Sequence, residues 1–326
     1  MSGMGWRELV ALLVSIAVAR PIGVDAQTTH SAPKIVFLAP GPQSYQEEFT
    51  RGLRDLGYVG GVNAIVEFKF TDGRDEGLPL AAKELADRQV NVIVASNSAA
   101  TAAAMAATKT IPIVMVTSGD PVGSNFVKSL SRPGGNVTGL SSLVPEVSFK
   151  QIELLKDADP RISKVVVFWN SRNSSNLISL PQLIAASKSL GLELRDVEIQ
   201  TPSDLETAFR RTSEGKFDAI LTLIDQVTIR HRADVVEFAR SIKRPAMYPL
   251  REFVSAGGLM SYGVSFPDLH YRAAKWVDRI LKGTSPAELP VEQPTKFHFM
   301  INLKTASNIG LTLPPSFLAL ADEVIE

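Results

Sequence analysis

Two glycine-rich stretches decide the fold: "GGNVTGLSS" at residues 134–142 and "GGLMSYGVS" at residues 257–265. Each opens with a glycine pair, continues as a short apolar run and contains a third glycine, which is Gly139 in the first stretch and Gly263 in the second. A glycine pair favours a tight turn, because glycine adopts positive φ without a steric penalty. We interpret each stretch as a turn that begins a strand, and the recurrence suggests that the two halves of the chain share one architecture.

The segments before the two stretches repeat the same alternation of short apolar runs and helical patterns. Strands that are buried on both faces and alternate with helices are typical of parallel sheets covered on both sides. The sequence therefore predicts an α/β protein with two doubly wound parallel-sheet lobes and a cleft between them. The first half has predicted strands at 34–39, 64–70, 90–96 and 111–121, and the second half has them at 164–171, 192–200, 217–225 and 244–253.

The end of the chain predicts how the lobes are joined. An amphipathic helix at 269–283, a strand at 296–303 and a final helix at 315–325 follow the second glycine-rich stretch. If each stretch carries the chain across to the other lobe, three crossing strands form a hinge, with Gly139 and Gly263 at the first two crossings. The predicted limits are 27–140 plus 265–290 for lobe 1, and 141–264 plus 291–326 for lobe 2.

The composition argues against several classes of function. The 34 basic and 34 acidic residues give zero net charge, so no overall field attracts nucleic acid. The chain has no cysteine, and its four histidines show no metal-binding spacing, so we expect no metal and no other cofactor. Walker A, G-x-S-x-G and G-x-G-x-x-G motifs are absent from the sequence. We therefore expect a protein that is not an enzyme.

The N-terminus resembles an export signal. Arg7 precedes an apolar run from Leu9 to Ala19, and small residues at Val24 and Ala26 suit a signal-peptidase site. Residues 1–26 are predicted to be a signal peptide cleaved near Ala26, which predicts a periplasmic location; a buried or frayed N-terminal helix is the alternative. No later run reaches the ~20 apolar residues that span a bilayer, so we expect no membrane insertion. A monomer is expected.

Long ordered segments carry a resemblance to a known family. They are "RGLRDLGYVGGVNAIVEFKFTDGR" (51–74), "IPIVMVTSGDPVGSNFVKSLSRPGGNVTGLS" (111–141), "REFVSAGGLMSYG" (251–263) and "LPVEQPTKFHFMINLKTASNIGLTLPPSFLALADEVIE" (289–326). From Lys34 onward the chain resembles the ABC-transporter substrate-binding proteins of the type I periplasmic fold, in the branch that binds tryptophan and other aromatic amino acids.

The resemblance implies a small-molecule ligand, and an ABC permease with its ATPase subunit as partners. An amino acid, especially an aromatic or branched one, is the first expectation for the ligand, and an aromatic carboxylate is the second. A ligand-sensing periplasmic protein that feeds a signalling receptor is the rival within binding proteins. An exported α/β enzyme is the rival outside them.

Candidate ligand-binding residues in lobe 1 follow the predicted strand ends. Serine hydroxyls can cap a helix as well as bind a ligand, and Asp120 can cap a helix that starts at Pro121. A glycine such as Gly119 admits a close backbone approach. Tyr45 can stack on a flat ligand or pack on its own helix. The lobe 1 candidates are Gly41, Tyr45, Ser96, Asn97, Ser98, Ser118, Gly119 and Asp120.

Candidates in lobe 2 carry more charge. Asn170 and Ser171 begin the polar segment "NSRNSSN" directly after a strand. Asp225 follows "LTLI" and suits a ligand ammonium, although a role as helix cap fits equally well. Arg251 can hold a carboxylate through its forked donors, or it can pair with Glu252 or across the hinge.

Overall fold

The computed structural model describes residues 32–42 and 45–326, so the predicted signal peptide at 1–26 lies outside the described residues. The first sheet has five strands, all parallel, in the order β2-β1-β3-β4-β5. Its strands are β1 (Lys34–Ala39), β2 (Ile65–Phe70), β3 (Val92–Asn97), β4 (Ile113–Ser118) and β5 (Val137–Ser141), and its helices are α1 (Gln46–Asp55), α2 (Leu78–Asp87) and α3 (Ser98–Ala107).

The second sheet has seven strands in the order β12-β11-β10-β9-β8-β6-β7. Its strands are β6 (Lys164–Trp169), β7 (Glu193–Glu198), β8 (Ala219–Thr222), β9 (Ala246–Tyr248), β10 (Met260–Val264), β11 (Phe297–Asn302) and β12 (Glu323–Ile325). The remaining helices are α4 (Val144–Ala158), α5 (Ser174–Ser187), α6 (Asp204–Glu214), α7 (Gln226–Arg230), α8 (Arg232–Ser241), α9 (Arg251–Ser255), α10 (Phe266–Leu281), α11 (Leu303–Ile309) and α12 (Pro315–Leu318). The predicted α/β fold with two lobes is confirmed. One pairing differs, since β10 and β11 run antiparallel.

The central strands of both sheets are buried on both faces, as the apolar runs predict, whereas the edge strands β2, β7 and β12 are partly exposed. In β1, Phe37 packs into one apolar cluster and its neighbours Val36 and Leu38 pack into a second cluster on the opposite face. In β6, Val167 and Phe168 divide in the same way between two clusters of the other lobe. Each lobe thus has a three-layer α/β/α arrangement, which exposes only the strand ends to a ligand.

The chain passes between the two sheets three times. The first passage follows β5, the second follows β10, and the third lies between Glu292 and β11. Helix α10 packs against α1 of the first lobe, where Gly52 has no room for a Cβ against the Tyr271 carbonyl. Glu292 then lies beside β5, because its amide donates to the Gly139 carbonyl and its own carbonyl accepts from Ser141. The residue limits of the lobes stay a prediction.

Glycine is required at both glycine-rich stretches. Gly134 and Gly257 have positive φ, at 72° and 101°. Gly139 also has positive φ, and a Cβ there would overlap the Met115 backbone. At Gly263, a Cβ would overlap the Pro249 carbonyl. The third glycine of each stretch therefore permits close packing between neighbouring strands.

Several predicted elements differ from the structure. The predicted final helix at 315–325 is the single turn α12 followed by β12, since Asp322 accepts from the Phe299 amide at 2.8 Å and leads the chain back to the sheet edge. The predicted strand at 244–253 ends at Tyr248, and α9 begins at Arg251. Residues 121–125 form turns, so the alternative in which Asp120 caps a helix starting at Pro121 is wrong, and Asp120 instead accepts from the Gly123 amide within the turn. Across the described residues, no helix is both long enough and apolar enough to span a bilayer.

Candidate functional site

A cavity of about 150 Å³ lies between the lobes at the carboxyl ends of the strands. Loops and helix N-termini from both lobes form its wall, as expected for a doubly wound sheet. Polar side chains and a smaller apolar group share the lining, which is typical of small-molecule sites. The lining residues are Asp75, Asn97, Ser98, Ala99, Ala102, Thr117, Ser142 and Val144, followed by Arg172, Asn173, Ser174, Ser175, Ile224, Asp225, Gln226, Ile229 and Phe266.

Two helix N-termini meet at this cavity, one from each lobe. Asn97 caps α3 by accepting the Ala100 amide at 2.9 Å, and Asn173 caps α5 by accepting the Ser175 amide at 3.1 Å. The hydroxyl groups of Ser98 and Ser175 lie 3.0 Å apart, so the two helix starts are in direct contact across the cleft. Helix N-termini present unpaired amides and positive dipole ends, which together favour a carboxylate.

Asp225 is the buried charge of the second lobe. Its carboxylate accepts from Asn170 at 3.1 Å, from Asn173 at 3.3 Å and from the Val227 amide at 2.9 Å, which caps α7. Burial raises the pKa of Asp225 above its ordinary value, and these donors oppose that rise by stabilising the anion. Asp225 therefore caps a helix and lines the cavity at the same time, so both roles considered from the sequence occur together.

Glycines of the first lobe allow side chains of the second lobe to come close. A Cβ at Gly119 would overlap the Ser175 side chain, while the Gly119 amide donates to Ser98 at 3.2 Å. The guanidinium of Arg230 lies where a Cβ of Gly41 or Gly73 would stand. The lobes are in close contact in this structure, and backbone without side chains makes that contact possible.

The entrance to the cavity carries a charged cluster that sequence reasoning missed. Asp75 lines the cavity from lobe 1, opposite Asp225 and Arg172 of lobe 2. Its neighbour Glu76 pairs with Arg172 at 2.9 Å across the cleft. Burial, then Asp225 and Glu76, raises the pKa of Asp75 to about 6, and Arg230 opposes the rise. Asp75 lines the cavity and also remains exposed to solvent.

A second, smaller pocket of about 50 Å³ lies at the hinge side of the cleft. The hydroxyl of Tyr45 donates to Glu252 of the other lobe, and burial, followed by the charge of Glu252 and this bond, raises the pKa of Tyr45. The Tyr45 ring lies 5.3 Å from the His270 ring and 6.1 Å from Phe266. Burial lowers the pKa of His270 to about 4, and its Nδ1 lies 2.8 Å from the Phe266 carbonyl. Tyr45 therefore contacts the opposite lobe in addition to its own helix.

An apolar extension leads from the main cavity toward the hinge. Phe266, Val144 and Ile224 line both the cavity and this extension. The rest of its lining combines apolar and polar residues, which are Val147, Pro249, Gly263 and Val264 with Ser142, Ser148 and Gln151. The cleft is thus polar at the helix N-termini and apolar toward the crossing strands.

The structure separates the predicted site residues into four groups, apart from Tyr45 at the smaller pocket. Asn97, Ser98 and Asp225 line the cavity, and Gly41, Gly119 and Asn170 support it from behind through the contacts given above. Ser96 and Ser118 are fully buried in the sheet, with no hydrogen-bond partner for either hydroxyl. Ser171, Asp120 and Arg251 lie outside the main cavity. These three have other partners, which are Gln200, the Gly123 amide and Glu323.

Sequence reasoning missed residues whose position depends on folding. Asp75 follows an exposed polar loop, and Phe266 precedes a helix that was predicted to begin at Leu269. Ser175 was within the predicted segment "NSRNSSN", but the residues nearest the strand end were chosen instead. The cap motif Asn-Ser-Ser was the available signal, since an asparagine followed by two serines is typical of a helix start.

Comparison with known proteins identifies the relatives of this chain. The sequence profile of the ABC transporter substrate binding proteins matches residues 36–325. A tyrosine-binding protein of Clostridioides difficile is 29% identical over 276 residues, which cover 83% of this chain and 78% of the relative.

Solved structures agree with this likeness. An ABC domain in complex with L-Trp from Streptococcus pneumoniae is 27% identical, with a TM-score of 0.83 over 90% of this chain and 100% of the other. A conserved domain protein from Vibrio cholerae is also 27% identical, with a TM-score of 0.84 over 90% of this chain and 99% of the other. The fold is that of the type I periplasmic binding proteins.

Proposed function

Because the chain belongs to the ABC transporter substrate-binding protein family, we propose that it is the extracytoplasmic solute-binding component of an ABC importer and captures an aromatic amino acid between its lobes. Proteins of this family bind a small molecule and are not enzymes, and the same holds for this chain. The observation that carries the proposal is the meeting of two helix N-termini, at Ser98 and Ser175, beside the buried carboxylate of Asp225.

This arrangement suits the two charges of an amino acid. The ligand carboxylate accepts from the hydroxyls of Ser98 and Ser175 and from the first amides of α3 and α5, where the helix dipoles add a favourable field. The ligand ammonium lies at Asp225, which Asn170 and Asn173 hold in place from behind. Charge-assisted hydrogen bonds of this kind are about twice as strong as neutral ones.

The apolar extension suits the side chain of the ligand. Phe266 offers an aromatic face beside Val144 and Ile224, and the extension continues toward the hinge. An aromatic ring prefers such surroundings, because it buries a large apolar area and stacks on another ring. The ligands of two relatives, tyrosine and L-Trp, likewise combine a charged amino-acid group with an aromatic ring.

Binding works through hinge closure. A ligand that contacts both lobes stabilises the closed state by its differential affinity for that state. Gly139 and Gly263 lie on the strands that lead to the first two crossings, and we assign them to the hinge. A permease and its ATPase recognise the closed protein in a periplasmic compartment, to which residues 1–26 direct it as a signal peptide that is cleaved near Ala26. Residues 27–140 plus 265–290 and residues 141–264 plus 291–326 move as the two lobes.

The proposal is tested by thermal shift and calorimetry on the purified protein. L-Trp, L-Tyr and L-Phe are compared with acidic amino acids and sugars, and a specific ligand raises the melting temperature by mass action. Asp225→Asn keeps an α7 cap but removes the charge, so the affinity for the aromatic amino acid falls by roughly 10- to 100-fold, in line with the loss of a hydrogen bond to a charged group. If none of the amino acids binds, the proposal is wrong.

A further inference from the structure

We propose that Asp75 selects for an ammonium-bearing ligand, because closure brings its carboxylate to the same cavity as Asp225 of the opposite lobe. The inference rests on the proposed function and deepens it. According to this inference, a residue of lobe 1, Asp75, distinguishes an amino acid from the corresponding acid that lacks the amino group.

Asp75 and Asp225 belong to different lobes, so whether they share one cavity depends on closure of the lobes. Asp75 begins a short 3-10 turn, Asp75–Gly77, that leads into α2, so it belongs to the first lobe. Asp225 caps α7 of the second lobe and is almost fully buried. Both line one cavity, so the two carboxylates share its interior only when the lobes meet.

Among the described residues around Asp75, the charges of the closed cleft do not balance. Glu76 and Arg172 form an ion pair, and Arg230 lies against Gly41 and Gly73. Arg230 lowers the pKa of Asp75, while Asp225 and Glu76 raise it. Three carboxylates thus face two guanidinium groups, which leaves one negative charge without a counter-charge.

A ligand ammonium supplies the missing positive charge. Two like charges in one partly desolvated site repel each other, and an opposite charge between them removes the penalty. Closure around an amino acid is therefore favoured, whereas closure around an acid that lacks the ammonium retains the repulsion between Asp75 and Asp225. A ligand shifts the equilibrium between the open and closed states only if it binds one of them more tightly. Relief of the repulsion between Asp75 and Asp225 occurs in the closed state, so it favours that state directly.

The test compares ligands that differ only in the amino group. Calorimetry measures L-Trp against 3-(indol-3-yl)propanoate, and L-Tyr against 3-(4-hydroxyphenyl)propanoate, in the wild type, in Asp75→Asn and in Asp72→Asn. Asp72 is the matched control, because it lies in the same loop, its side chain is 91% exposed and it is not part of the cavity lining. Its positive φ of 52° suits asparagine equally well.

We expect Asp75→Asn to weaken binding of the amino acid by about tenfold and to leave unchanged or strengthen binding of the desamino acid. The ratio of the two affinities then falls at least about tenfold, while Asp72→Asn changes it less than about threefold. In the wild type the amino acid binds less tightly as the pH falls from 7.5 to 5, since Asp75 becomes protonated with a pKa of about 6. That loss is smaller in Asp75→Asn.

Two results overturn the inference. If L-Trp or L-Tyr binds but Asp75→Asn leaves the affinity ratio within about threefold of the wild type, Asp75 does not select the ammonium group and the proposed function still stands. If no amino acid binds the wild type, the proposed function fails and this inference fails with it.

Discussion

The two lobes contribute to the cleft in different ways. Lobe 1 presents backbone at Gly41, Gly73 and Gly119, and each of these glycines has a side chain of lobe 2 where its Cβ would stand. Lobe 2 presents side chains that its own hydrogen bonds hold in place, as Asn170 and Asn173 hold Asp225. At these three glycines the face of lobe 1 must stay free of side chains, whereas lobe 2 holds its charge at Asp225 in place by side-chain hydrogen bonds.

This difference predicts how each face responds to substitution. A change at one of these lobe 1 glycines acts by steric exclusion, because an added methyl group occupies space that a side chain of lobe 2 needs. A change on lobe 2 acts through charge, because the shape of the polar network survives an isosteric replacement such as Asp225→Asn. Measurements on the two lobes therefore separate fit from electrostatics.

The largest expected difference between the lobes is their response to acid. His270 in lobe 1 is fully buried, and burial lowers its pKa from 6.5 to about 4. The unfolded chain therefore binds a proton that the folded lobe does not, so stability is fully present above pH 6.5 and is lost as the pH falls toward 4. The loss is at most about 3 kcal/mol. The histidines His231 and His298 in the described part of lobe 2 are not buried.

Urea unfolding from pH 7.5 to 4 measures this effect. In the protein without residues 1–26, and therefore without Trp6, Trp276 reports on lobe 1 in a Trp169→Phe background and Trp169 reports on lobe 2 in a Trp276→Phe background. His270→Phe is the control. Asp75 also titrates in this range, and its raised pKa gives the free energy of unfolding a pH dependence of opposite sign. The difference between the wild type and His270→Phe therefore isolates the contribution of His270. Equal slopes with and without His270 would contradict the prediction.

The next effect is steric and concerns lobe 1. Gly119→Ala places a methyl group against the Ser175 side chain and Val144, so the closed state loses about 1–3 kcal/mol. The ligand affinity falls accordingly by calorimetry, and small-angle scattering shows the protein with ligand remaining more open. Gly135→Ala is the control, because a Cβ there meets no atom within 4 Å. An unchanged affinity in Gly119→Ala would show that closure does not need this contact.

The smallest effect concerns the single hydrogen bond at the hinge side. Tyr45→Phe removes the bond to Glu252 across the cleft and should lower the affinity by about 0.5–1.5 kcal/mol. Tyr271→Phe is matched to it, because that hydroxyl bonds to Asp55 within lobe 1. If both variants bind the ligand equally well, the bond of Tyr45 does not contribute to closure.

Local patterns were sufficient for much of the fold. The strands predicted at 34–39 and 64–70 agree with β1 and β2 to within one residue, because apolar alternation acts over a few residues. Helices α7 and α9 were missed, since each has five residues and too short an apolar period to recognise. The last strand was mistaken for helix because its partner β11 is distant in sequence.

For the site, the sequence by itself determined which chemical groups end the strands and cap the helices. It placed Asn97, Ser98 and Asp225 at the strand ends, because a parallel sheet brings all its carboxyl ends to one edge. Only the tertiary structure decided which of these groups meet. The approach of Ser98 to Ser175, and of Asp75 to Asp225, joins segments that are 77 and 150 residues apart and lie in different lobes. The Ser98–Ser175 contact and the shared cavity of Asp75 and Asp225 depend on how the lobes close, and no local pattern encodes that geometry.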